Sequence, residues 1–152
     1  MLVRAAWIAL ATTLAAGNLA AAGPDRLSIL LGSEHLGSNG QFNGQNPGLF
    51  LSWDGDNETS LTIGAYKNSY SRTSWSITGH WRPLDLGQAQ AGIFAGVAHY
   101  PGDGRRFAAH LGGDWVPIGG LEILAGNLFF QFIPGDGKHV AGILATGITL
   151  PF

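Results

Sequence analysis

His35 and Ser69 are the residues of this chain best suited to group transfer. An imidazole accepts the proton of a hydroxyl, and the hydroxyl or its acceptor then meets an ester carbonyl, which is the minimum equipment for acyl transfer. Other chemistry is thinner. The chain has no cysteine, which removes disulfides and thiolate reactions and leaves zinc without its commonest ligand. None of its five histidines is spaced at i, i+2 on one strand face, so neither a metal site nor a cofactor is expected. The net charge is −2 and the isoelectric point about 6.2, which supplies no basic field for nucleic acid.

A His and a Ser 34 positions apart need a scaffold that brings them to one place. The 152 residues suffice for one domain. Only 12% are charged, against about 25% in soluble domains, and a lipid-facing surface accounts for the deficit. The N-terminus reads as a secretory signal over residues 1–22. Arg4 supplies the positive charge, Ala5 to Gly17 the uncharged stretch, and Ala20-Ala21-Ala22 the small-residue cleavage site, with Gly23 the first mature residue. After it, no run of 18 apolar residues forms a helical span.

Residues 23–152 instead show short alternating runs cut by turn residues. The expected strands are Leu27 to Ser33, Gly48 to Trp53, Ser60 to Lys67, Arg72 to Trp81, Ala91 to Tyr100, Phe107 to Ile118, Leu121 to Ile133 and Lys138 to Phe152. Asp54-Gly55-Asp56-Asn57, Pro83 to Gln88 and Gly119-Gly120 are the expected inner turns. The last run places Leu144, Ile148, Leu150 and Phe152 on one parity and ends on an aromatic, which resembles the C-terminal signal of outer-membrane barrels. The fold class expected is all-β, an eight-stranded antiparallel transmembrane barrel of the outer-membrane type. Closure satisfies the strand edges that lipid cannot.

On that topology His35, ending strand one, and Ser69, ending strand three, share the outer rim. Arg72, Lys67, Arg105, Arg106 and Lys138 also cluster at the outer ends, where they can meet phosphates. Trp53, Trp81 and Trp115 fall near the inner ends, as an aromatic girdle. The small apolar parity of the last strand, Ala141, Ile143, Ala145, Gly147 and Thr149, leaves room in the lumen for a hydrocarbon chain.

Several stretches in order resemble the lipid A palmitoyltransferase (PagP) family. His35 stands where that family's catalytic His stands. Phe42-Asn43-Gly44-Gln45-Asn46-Pro47-Gly48 resembles its Tyr-Asn-Glu-Arg run. Tyr66-Lys67-Asn68-Ser69-Tyr70 resembles Phe-Lys-Asp-Ser-Trp, whose Asp and Ser are catalytic. His80-Trp81-Arg82-Pro83-Leu84 resembles Thr-Trp-Arg-Pro-Leu, and Phe132-Ile133-Pro134-Gly135 resembles Tyr-Ile-Pro-Gly. The resemblance implies an acyltransferase that moves a palmitoyl-like chain from a glycerophospholipid to lipid A, with His35, Asn68 and Ser69 catalytic. Asn43, Tyr66, Lys67 and Arg72 are the expected substrate-binding residues. The implied partners are glycerophospholipid and lipopolysaccharide, the expected location the bacterial outer membrane and the expected state a monomer.

This sequence departs from the family at Asn68, where the family has Asp. An amide orients a neighbour by hydrogen bonds but does not stabilise an imidazolium by charge. The family's N-terminal amphipathic helix has no counterpart. A non-catalytic barrel of the same lineage, binding lipid or structural, is the alternative. Lipid A deacylase, another barrel hydrolase, carries a His-x-Ser pair on a late strand, but His99, His110 and His139 are followed at that spacing by Pro101, Gly112 and Ala141.

Overall fold

The computed structural model describes residues 23–38, 40, 42–135 and 139–152. The expected signal segment and Lys138 lie outside the described residues. The eight strands are β1 (Arg26–Leu36), β2 (Gly48–Asp54), β3 (Thr59–Lys67), β4 (Thr73–Asp85), β5 (Ala89–His99), β6 (Trp115–Ala125), β7 (Leu128–Pro134) and β8 (Gly142–Pro151). Each pairs antiparallel with its sequence neighbours, and β1 pairs with β8, so the sheet closes into a barrel. Short turns join the strands at one end. Longer loops, with described residues 37, 38, 40, 42–47, 68–72, 100–114, 135 and 139–141, surround the other end, the mouth.

Alternation decides what faces where. Leu49, Leu51, Ile63, Trp75, Trp81, Ile93, Leu121, Ile123, Phe130 and Leu144 are all exposed on the outside, while Ser52, Ser60, Thr62, Ser76, Thr78, His80, Arg82, Glu122 and Thr149 are buried. A water-soluble barrel buries its apolar parity and wets its polar one. This barrel does the reverse, as the outer-membrane type does.

Three expectations fail in the second half. Gly119-Gly120 is not a turn but lies inside β6, where Gly120 pairs opposite Phe94. A side chain at Gly120 would collide with the Phe132 carbonyl oxygen, so this glycine marks a close approach between strands rather than a reversal. The chain turns at Gly126, whose φ of 56° favours glycine. The run from Phe107 accordingly belongs to the third mouth loop, and Trp115 starts β6 at the mouth, stacked edge-on against Trp75 with ring centroids 4.7 Å apart. Trp53 and Trp81 do sit toward the turn end.

The lumen is filled toward the turn end by a hydrogen-bonded ionic cluster. Glu122 Oε1 accepts from Arg82 Nη1 at 2.8 Å, and Glu122 Oε2 pairs with His80 Nδ1 at 2.8 Å. Gln131 Nε2 donates to the same carboxylate at 3.2 Å, Arg82 Nη2 to Ser60 Oγ at 3.0 Å, and Thr78 shares a hydrogen bond with His80 Nε2. Arg26 pairs with Asp54 beneath. Removing one partner of such a buried set leaves uncompensated charge, at a cost of about 3–5 kcal/mol. Glu122→Ala is therefore expected to lower unfolding stability in detergent micelles by about that much, read as a fall in the urea midpoint. An unchanged midpoint would show that the cluster does not stabilise the barrel.

Candidate functional site at the barrel mouth

Strict alternation from Leu27, Ile29 and Leu31 would point His35 outward, because all four numbers are odd. The structure turns it inward by a β-bulge. The β1–β8 register runs Leu30↔Gly147 and then Gly32↔Thr146, which leaves Leu31 as the extra residue. Leu30 faces the lumen before the bulge, and Ser33 faces it after. His35, two residues on and opposite the lumen-lining Ile143, follows the same parity. A bulge re-aims side chains in this way, while Glu34 stays exposed on the other face.

β2 is short, and beyond Gly48 its place beside β1 is taken by loop backbone. Ser33 N donates to Gly44 O at 2.9 Å. The buried Asn46 accepts from Ser33 Oγ at 2.5 Å and donates to Lys67 O at 2.9 Å, bridging β1 to β3 across the gap. Over that gap His35 Nε2 and Ser69 Oγ meet at 2.8 Å. Phe42 stacks on the imidazole at 4.6 Å and 9°, and Asn43 N donates to Ser69 O at 3.0 Å. Stacking on one side and a hydrogen bond at the ring edge fix the imidazole's plane. No ion pair joins His35 to a carboxylate among the described residues.

Asn68 is only 1% exposed, and its amide is spent on the turn. Its Oδ1 accepts from Tyr70 N at 2.9 Å and Arg72 N at 3.0 Å, and its Nδ2 donates to Ser74 Oγ at 2.9 Å. Sequence reasoning places Asn68 beside His35 and Ser69. The structure makes it the frame of the 68–72 turn that presents Ser69, because an Asx side chain caps the backbone N–H groups two and four residues on.

The expected substrate-binding residues divide. Tyr66 lines the lumen, its hydroxyl 3.2 Å from that of Tyr100. Asn43 and Arg72 line an open depression on the rim, together with Ser69. Lys67 is exposed and lines neither space, since alternation sends it to the face opposite Tyr66. Sequence reasoning gave no role to Asn46, Phe42 or Asp103. The only signals were an Asn before Pro47 and an aromatic in a glycine-rich loop. In the third loop Asp114 receives Gly102 N–H at 2.7 Å and Gly104 N–H at 3.4 Å, and the Gly102 bond foremost holds its carboxyl below the ordinary carboxylate value.

The lumenal cavity is about 140 Å³. A cavity of about 150 Å³ takes up benzene, so this space has the size of a short apolar segment and not of a palmitoyl chain. Phe50, Phe94, Ile118, Ile133 and Ala145 give it apolar walls, and Arg26, His80, Arg82 and Glu122 line it toward the turn end. Among the described residues no group of His, Cys, Asp and Glu is arranged to hold a metal ion.

No family model matches the chain, and no curated protein does. Among solved structures it is similar to the N-terminal β-barrel domain of OprF from Pseudomonas aeruginosa, 13% identical, covering 85% of this chain and 100% of that one at a TM-score of 0.47.

The two backbone N–H groups held by Asn68 lose their acceptor on truncation, and a buried unsatisfied donor costs about 1–3 kcal/mol. Asn68→Ala is expected to destabilise the barrel by about that amount and to change the His35 imidazole resonances as Ser69 shifts. Asn68→Asp keeps both acceptors and is expected to cost less. Equal stability of the alanine variant and the wild type would remove the framing role.

Proposed function

We propose that this chain is an outer-membrane barrel whose mouth transfers an acyl chain from a glycerophospholipid to lipid A, in the manner of the PagP family that its motifs resemble. The observation that carries the reading is the 2.8 Å hydrogen bond between His35 Nε2 and Ser69 Oγ at the lumen's entrance. An apolar exterior around a polar interior supports residence in a membrane, and the expected signal segment supports export to the outer one.

In this reading Nε2 takes the Ser69 proton as Oγ attacks the ester carbonyl. The tetrahedral intermediate collapses, the C–O bond to glycerol breaks, and the departing lysophospholipid oxygen receives the proton from Nε2. A lipid A hydroxyl then attacks the acyl-serine while Nε2 accepts its proton. Ser69 leaves with a proton from the same nitrogen, and the site is restored. Phe42 and Ser69 keep the ring in place without the carboxylate that orients the base in a triad. The acyl segment nearest the ester would lie among the apolar walls of the mouth half, and the cavity volume favours a chain shorter than palmitoyl.

A second reading, a lipid-binding or structural barrel without catalysis, draws on one observation. Asn68 is committed to the turn and no carboxylate pairs with His35 among the described residues, so a forming imidazolium has no counter-charge in contact with it.

The two readings part in the lipid A of cells expressing the wild type, His35→Ala or Ser69→Ala. The wild type is expected to add the mass of one acyl chain. Each variant is expected to lose about 10²-fold or more of that product, the usual worth of a general base. Lipid A of unchanged mass in all three strains, with each barrel folded in the outer-membrane fraction, overturns the transferase in favour of the second reading.

A further inference from the structure

Ser69 is the side chain shared by the lumenal cavity and the rim depression. The far wall of that depression is built around a buried carboxylate. Asp103, 2% exposed, pairs through Oδ1 with Arg106 Nε at 2.8 Å and through Oδ2 with Arg72 Nη1 at 3.5 Å. Two further contacts fix the guanidinium groups. Arg72 Nη1 donates to Pro101 O at 2.7 Å, and the Arg106 guanidinium lies over the Tyr70 ring, 5.0 Å from its centroid. Both arginine side chains remain more than half exposed. Arg106 Nη1 and Nη2, and Arg72 Nε and Nη2, have no protein partner among the described residues.

A carboxylate buried beneath two cations, with donors left over, is an anion site prepared in advance. Guanidinium forks suit phosphate oxygens, and holding the side chains before binding lowers the ordering cost. Two guanidinium groups against one carboxylate leave one net positive charge. That matches a phosphodiester, which carries one negative charge, better than a phosphomonoester, which carries about 1.5 to 2. In a glycerophospholipid only the glycerol separates the phosphodiester from the acyl esters. A phosphate in the depression therefore sets an ester near the residue common to both spaces, with the acyl chain toward the lumen.

We propose that Arg72 and Arg106, set apart by the buried Asp103, bind the phosphodiester of a membrane glycerophospholipid. The site selects the phosphate-bearing acyl donor against neutral glycerides. Presentation of the ester to Ser69 rests on the acyl-transfer reading, whereas headgroup binding stands without it.

The test uses isotope-labelled protein folded in dodecyl maltoside micelles, which contain no phosphate. Dihexanoyl phosphatidylglycerol is titrated while the Nε–H resonances of Arg72 and Arg106 are followed, with dihexanoylglycerol and inorganic phosphate as separate arms. Saturable shifts of both resonances are expected with the phospholipid and none with the neutral glyceride. Arg106→Gln is expected to weaken binding about tenfold or more, as one charge-assisted contact is worth, with the Arg72 resonance as its readout. Arg72→Gln is expected to do the same, read at Arg106. Ser69→Ala is expected to keep the shifts, which separates failure of the headgroup site from failure of catalysis. Equal shifts with dihexanoylglycerol, undiminished binding by Arg106→Gln in a folded barrel, or inorganic phosphate saturating at the same concentration as the lipid would each overturn the proposal.

Discussion

The seam between β1 and β8 is the pairing on which the rest of the barrel depends. Without it both strands would present unpaired N–H and C=O groups, and an edge in an apolar surround has nothing to bond to. The seam runs from Arg26↔Pro151 to Leu36↔Gly142 and contains the bulge at Leu31. Its two consequences are inseparable. Pairing along the whole of β1 carries that strand well past the end of β2, and the bulge rotates the overhanging segment so that Ser33 and His35 look into the mouth. A register fixed by the closing strand thus sets the direction of the imidazole, although the groups that hold its ring come from Phe42 and Ser69 on other loops.

The lumen is divided by the same logic. Each inward side chain must find a partner or meet water, because a buried polar group without one costs more than its hydrogen bond returns. At the turn end Glu122 gathers His80, Arg82 and Gln131, so the interior closes with a hydrogen-bonded ionic cluster in which Arg82 Nε has no partner among the described residues. Toward the mouth the aromatic rings of Phe50, Tyr66 and Tyr100 line the space together with Ser33, Asn46, Ser69 and Ser76. The barrel therefore has an ionic base and an upper chamber of aromatic rings and small polar side chains, and the hydrogen-bonded pair stands at the chamber's lip.

How much of this could be read from residues follows from which constraints are local. Alternation through β3 and β4, Leu61, Ile63 and Ala65 against Thr62, Gly64 and Tyr66, assigns faces correctly because nothing interrupts it. Gly119-Gly120 misleads because a glycine pair signals a turn and a close strand approach equally well, and only the neighbouring Phe132 carbonyl tells them apart. The placement of Trp115 fails with it. His35 reaches the mouth for a reason no alternation contains, since the bulge appears only once β8 is paired. Glu122 stands out in sequence as an acid amid Leu121, Ile123 and Leu124, but its partners lie on β4 and β7 and need the closed sheet to be named.

Asn68 shows how one position can exchange chemistry for architecture. A carboxylate there could compete between bonding the turn's N–H groups and facing an imidazole. The amide here does the first completely: both lone-pair directions of Oδ1 take backbone donors, and Nδ2 satisfies Ser74. Ser69 is consequently held from below by a rigid turn and from the side by the Asn43 N–H to its carbonyl. The Ser69 hydroxyl is left to bond the imidazole. The task of orienting that imidazole passes from charge to shape, through the parallel Phe42 ring. A base held by stacking has no carboxylate in contact as it becomes charged, so the more distant charges of the rim, Arg72 and Arg106 among them, act on any charge that develops at the mouth.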